Sequence, residues 1–466
     1  MKRNKRFLTL ALLAVLLWAM LPPLTVTAHA VAFSGSFGAE GDNLTWSFDE
    51  ATGVLTIQGS GSMGSFYTIS DIPWDIHKKH ITAVELPDGL TDIAIGAFSS
   101  IPKLTAVTLP GSVTDIKDSA FDGCTSLTSV AIPDSVTHIG EYAFAGCTAL
   151  ETISIPDSVT EIGDGAFSNC KAMTQVTIPA SVTGIGKRAL NTLFMKQIDV
   201  DPDNPSYCSQ DGVLFDKAMV TLVHFPAGRE GSYTIPEGVK IIDEEAFHYS
   251  RLTSVSFPTS LSVIGESAFS FSKLTSVTIS EGVETIEDEA FCKCGELTEV
   301  ILSSTVKSLG QSAFEQCTEL NSVTIPDGLA SIGQYCFINC DALKKITIPN
   351  SVSRIDHCAF GFSYDFPSQS FLRVSGFKVW GITGSAAYTY TMSNGLDFQA
   401  IQDNTGADPS TGMNSSQSTV PASEAESNSD PISGESSDFS GLWFYIVIVA
   451  LLVAAVVVVI VNKVRG

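Results

Sequence analysis

The sequence predicts a strand-rich solenoid of the α/β class. Short strands pair in parallel, short helical or 3-10 turns join them, a β cap stands at the N-terminal end, and one transmembrane helix follows near the C-terminus. Three observations predict it. An Ala-Phe pair recurs with the Phe at Phe98, Phe121, Phe144 and Phe167, each 23 residues apart, and again at Phe247, Phe269, Phe291, Phe314 and Phe360 at steps of 22 or 23, with Phe337 between the last two following Cys336. Each unit carries a short alternation of apolar and polar residues, the period of a half-buried strand. Residues 442–461 hold no charge, and at about 1.5 Å per residue they measure about 30 Å, the thickness of a hydrocarbon core.

One unit reads LTSVAIPDSVTHIG over 127–140 and closes on Ala143-Phe144. So short a unit cannot bury its own apolar residues, so successive coils must cover one another. Val130 and Ile132 alternate with polar neighbours and form a strand with one face inward. Pro133 ends that strand, because proline cannot donate to a ladder. Asp134-Ser135 is turn chemistry. Val136 and Ile139 point inward along a second short segment, Gly140 turns the chain, and the Ala-Phe step sits on a helical or 3-10 turn with Phe filling the coil.

Leu190 stands where a Phe is due, and the next Ala-Phe pair comes only at Phe247, a step of 57 from Leu190. Residues 196–236 therefore form an irregular insertion. Two apolar runs, 212–215 and 220–223, read as a hairpin across Asp216 to Met219. A bulged coil accounts for this stretch better than a functional loop.

The pattern L-x-x-V-x-I-P-x-x-V-x-x-I-G-x-x-A-F, with Leu127, Val130, Ile132 and Phe144 as one instance, resembles the leucine-rich repeat. Its I-P-D-S-V-T-x-I-G-x-x-A-F-x-x-C form is similar to the BspA-like subclass of bacterial surface proteins. Leu44-Thr45-Trp46, Ile57 to Gly61 and Pro73-Trp74 resemble the N-terminal segment of such proteins, and Gly384 to Ala387 with Asn394-Gly395-Leu396 resembles their last coil. The resemblance implies a right-handed solenoid displayed on a cell surface, with adhesion to host or microbial partners in some relatives.

The ends suggest export. Residues 1–30 read as a signal peptide: Lys2, Arg3, Lys5 and Arg6, an apolar stretch, then Ala28-His29-Ala30 as a cleavage site. A cap over 31–80 and the solenoid over 81–401 follow. Residues 402–440 hold eleven Ser and seven acids with no Lys or Arg, the composition of a disordered stalk. A span over 441–462 and a cytoplasmic tail over 463–466 complete a single-pass membrane protein with its body outside the cell.

Function is bounded by exclusion. A net charge of −24 argues against nucleic acid. Six cysteines share the column three residues after Phe (Cys124, Cys147, Cys170, Cys294, Cys317 and Cys340) and read as small buried thiols rather than disulfides or metal ligands. Gly59 to Gly64 matches G-x-G-x-x-G but precedes no helix pattern, so it reads as a turn; His77 and His80 read as solvated surface. No catalytic, cofactor or metal constellation emerges. The strand face is small and hydroxylic, as at Ser129/Ala131 and Ser276/Thr278, and lacks the residues that make hot spots. Exposed aromatics near the end (Tyr364, Phe366, Tyr388 and Tyr390) are the candidate binding residues for an extracellular protein ligand. A structural spacer without ligand is the first alternative, and a wall-active enzyme the second.

Overall fold

The computed structural model describes residues 32–66 and 68–401. The expected signal peptide, stalk, membrane span and tail lie outside the described residues. Among the described residues no helix is long and apolar enough to cross a membrane, and the one α-helix there, α1 (Ala386–Asn394), has nine residues. The fold class is corrected accordingly to a strand-rich parallel solenoid, with no transmembrane helix among the described residues. The Ala-Phe steps form single hydrogen-bonded turns, Ala143 N to Gly140 O and Ala145 N to Tyr142 O among them, rather than helices. Among the described residues only Ile69–Asp71 and Asp75–His77 form 3-10 turns, and both precede the coils.

The chain begins with three antiparallel strands, β1 (Ala32–Phe37), β2 (Leu44–Asp49) and β3 (Val54–Gly61). Leu44, Trp46 and Phe48 alternate inward on β2, which gives the cap its own apolar face. β3 is long enough to template two ladders. Val54 to Thr56 pair in parallel with Ala83–Glu85, and Ser60-Gly61 pair with Gly89–Leu90.

From there most coils contribute to two ladders, parallel except at the hairpin of the long coil, although residues 151–156 form no strand. The V-x-I segments make short sheets, such as Ser276–Thr278, Glu299–Ile301 and Ser322–Thr324. The longer ladders arise from the second segment. Five strands run from Asp92–Ile93 to Gly184–Ile185, and nine run from Tyr207–Gln210 to Arg354–Ile355. Hydroxyls reinforce these ladders. Thr137 Oγ1 donates to the Thr114 carbonyl at 3.3 Å, and Ser135 Oγ to the Val113 carbonyl at 2.6 Å, each one coil back.

The phenylalanines stack face to face inside the coils. Phe121 and Phe144 lie 5.3 Å apart with planes 2° from parallel, and Phe291 and Phe314 lie 5.2 Å apart, also at 2°. Trp74 opens the column on Phe98 at 5.8 Å and anchors by donating Nε1–H to the Ala97 carbonyl. The Ala-Phe step keeps its shape through two left-handed residues, two before and two after the ring. Around Phe144 these are Tyr142 (φ 53°) and Gly146 (φ 67°). Gly140 opens the turn, its carbonyl accepting from Ala143 N at 3.3 Å. It also lets coils approach, since a Cβ there would sit 2.6 Å from the Asp118 nitrogen.

The 57-residue step is two coils, of 35 and 22 residues. Phe225 N donates to the Ala246 carbonyl at 2.8 Å, the bond Phe121 N makes to Ala143, so His224-Phe225 is an Ala-Phe step with histidine in the alanine column. The longer coil contains the expected hairpin, Val213–Asp216 against Thr221–His224. Asn204, fully buried, pins it: its Nδ2 donates to the Pro179 and Val182 carbonyls, and its Oδ1 accepts from Ser206 N and Tyr207 N. Here the interior divides. One apolar cluster ends at Leu190, Ile198 and Leu214; the other begins with Val213, Phe215 and Phe225.

Candidate functional site

The largest exposed aromatic grouping lies on a hairpin after the last regular coil, Phe362–Asp365 paired with Ser370–Arg373. The pairing sets Tyr364 opposite Phe371. Their rings meet edge-on at 5.2 Å, and Phe366 meets Tyr364 at 5.0 Å and 90°. Phe371 in turn stacks on Tyr335 at 5.5 Å and touches the His357 ring at 5.7 Å. Phe366 is 69 % exposed and Leu372 51 %. Offset and edge contacts hold these rings in fixed orientation, which suits a contact surface because little side-chain entropy remains to lose.

Of the four residues singled out by sequence, Tyr364 and Phe366 belong to this patch. Tyr388 is half-buried on α1 with its ring edge-on to Phe398 at 5.1 Å. Tyr390, on the same helix, is only 7 % exposed, and its hydroxyl accepts from Phe360 N and donates to the Phe360 carbonyl. Burial pushes that phenol well above its ordinary range. Tyr390 therefore closes the last coil. Sequence reading missed Phe371, Leu372, Tyr335 and His357. The run Ser370-Phe371-Leu372-Arg373 offered a signal, but Tyr335 and His357 join it only through coil stacking.

The cysteine column is structural. All ten cysteines are free. Each column thiol donates to the carbonyl of the preceding coil's Phe, Cys147 Sγ to Phe121 O at 3.2 Å and Cys340 Sγ to Phe314 O at 3.1 Å among them. Burial pushes the Cys124 and Cys170 thiols up to about 12, so neither forms a reactive thiolate. Iodoacetamide at pH 8 should therefore leave Cys124, Cys147 and Cys170 unlabelled in the native chain and modify them fully once urea is added; mass spectrometry of native-state peptides carrying label at these sites would refute the assignment.

His77 corrects the solvated-surface reading. It is buried against Phe33 at 4.2 Å and Phe48 at 4.8 Å, and burial lowers its pKa. The glycines from Gly59 to Gly61 continue β3 as strand, not as a turn. No group of three or more His, Cys, Asp and Glu placed to hold a metal occurs among the described residues.

Two stacked parallel ladders around a column of rings, capped by antiparallel strands, define a leucine-rich-repeat solenoid. The model of the BspA type leucine rich repeat region matches residues 76–195 and 232–366 in six copies, and the chain belongs to that family. Among solved structures it is similar to a leucine-rich repeat protein from Eubacterium ventriosum, with 27 % identity and a TM-score of 0.60, covering 71 % of this chain and 95 % of that one. It is also similar in fold to the pneumococcal vaccine antigen PcpA, with 22 % identity and a TM-score of 0.56 over 79 % of this chain and 100 % of that one. A search of curated proteins finds no match.

Proposed function

We propose that this chain is a non-catalytic protein of the bacterial cell surface, and that its solenoid presents the terminal aromatic patch to a protein partner on a host or neighbouring cell. The observation that carries the reading is the exposed cluster of Tyr364, Phe366, Phe371 and Leu372, which holds the most exposed aromatic side chain among the described residues, Phe366. Clustered rings at a fixed geometry are what protein interfaces use as anchors. Membership of a family of bacterial surface repeats supports the location, and the export-like sequence of residues 1–30 agrees with it.

Attachment of cells carrying the gene, scored against cells lacking it, tests the proposal. Deletion should abolish the attachment due to this chain, and the double substitution Phe366→Ala/Phe371→Ala should weaken capture of the same partner about tenfold or more, the loss of a hot spot. Undiminished attachment after deletion would favour a structural spacer instead. Retained attachment with the double variant would move the contact to another surface.

A further inference from the structure

We propose that the seam between the two halves of the solenoid holds a binding site for a small primary alkylammonium ion, with His224 accepting its N–H and Asp243 supplying the counter-charge. This site is separate from the aromatic patch and stands on its own observations.

The column that precedes each buried Phe is alanine in Ala97, Ala120, Ala143, Ala166, Ala246 and Ala268, and Ala189 holds the same place before Leu190. His224 occupies it at the seam. An imidazole fits there because Leu190 is smaller than the Phe of its column and because no regular coil follows it directly. The space left is a cavity of about 130 Å³ bounded by Leu190, Leu214 and Val223 on its apolar side. That compares with the roughly 150 Å³ that accommodates a benzene molecule, so about six heavy atoms fit.

His224 is only 8 % exposed, and its Nε2 has no hydrogen-bond partner although it is shielded from solvent. The Leu190 carbonyl lies beside the ring and partly offsets the effect of burial on it. His224 lines the cavity, and in the Nδ1–H tautomer of the neutral ring Nε2 keeps a lone pair for a ligand donor. A buried acceptor without a donor is costly, and a ligand N–H removes the cost. Burial keeps the ring neutral, with its pKa lowered to about 4, so it remains an acceptor at neutral pH.

The charges select a cation. Lys187 pairs with Glu244 at 2.6 Å, and Arg188 pairs with Glu245, itself almost wholly buried. Asp243 lines the same cavity and has no ion-pair partner among the described residues, so three acids face two bases. A metal ion is a poorer match, since no group of metal-holding side chains occurs among the described residues and one wall is hydrocarbon. An ammonium on a short alkyl chain satisfies the acceptor, the carboxylate and the apolar wall together.

The test uses the full chain and n-butylammonium chloride as probe, followed by calorimetry and by the imidazole nitrogen resonances. Saturable one-to-one binding that moves the His224 resonances is expected. His224→Ala, which restores the usual residue of its column, and Asp243→Asn should each weaken binding about tenfold, the loss of one charged or polar anchor. n-Butanol, which has the chain but no charge, should bind about tenfold less well. No saturation with the wild-type chain, undiminished binding in either variant, or equal binding of n-butanol would each overturn the proposal.

Discussion

Phe144→Ala should destabilise the chain by about 4 kcal/mol, the usual cost of emptying a fully buried ring position. Phe144 is completely buried, and its neighbours Phe121 and Phe167 stack on it at 5.3 and 5.7 Å. Removing it takes away the ring's transfer free energy and leaves a gap between two rings that the coils on either side, fixed by backbone bonds, cannot close. Urea unfolding monitored by the fluorescence of Trp46 and Trp74 reports on this half, because both lie in the same apolar cluster as Phe144. Phe291→Ala, across the seam, should move that signal much less. A cost under about 1 kcal/mol for Phe144→Ala would mean that the rings do not hold neighbouring coils together.

Stability should also fall as pH drops from 7 towards 5. Burial lowers the pKa of both His224 and His248 to about 4, and Arg188 and Lys293 add to the effect at His248. The unfolded residues titrate near 6.5, so between the two values the unfolded chain binds more protons and stability declines with acidification. For His224 alone the shift corresponds to a change on the order of 3 kcal/mol across that window. The charged groups facing it are His248, Lys187, Arg188, Asp243, Glu244 and Glu245. Burial raises Asp122, Glu266 and Glu289 instead, and these work in the opposite sense at lower pH, where their protonation favours the folded chain. Midpoints of urea unfolding at pH 7, 6 and 5 check the prediction, and His224→Ala should flatten the curve. A wild-type midpoint that holds steady over this range would contradict it.

The coil period was readable because one large ring per coil leaves a mark no local preference imitates. Phe225 escaped notice because histidine replaces the alanine before it and a hairpin lengthens its coil, so the ring falls off the 22–23 spacing. The Ala-Phe step is a turn, as expected, but its left-handed residues were not legible in the sequence. Its shape comes from left-handed residues, and at Ser119, Tyr142, Glu289 and Lys293 those are not the glycines that would announce them. The exposed patch was half legible. Tyr364 and Phe366 stand out as aromatics in a polar run, whereas Tyr335 and His357 sit in earlier coils and reach the patch only by stacking. Tyr390 looked the same as Tyr364 in sequence, and only the docking of α1 onto Phe360 turns it inward.

The left-handed pair around each ring has a consequence for heat tolerance. Non-glycine residues in that conformation carry a penalty of roughly 1–2 kcal/mol each. Gly123 and Gly146 avoid it, and Asn169 and Asn339 reduce it, while Tyr142, Phe271 and Lys293 carry it in full. The protein thus holds an untapped reserve at the exposed members of this set, Tyr142 and Phe271, which glycine or asparagine replacements could release, whereas buried members such as Cys358 belong to the interior itself.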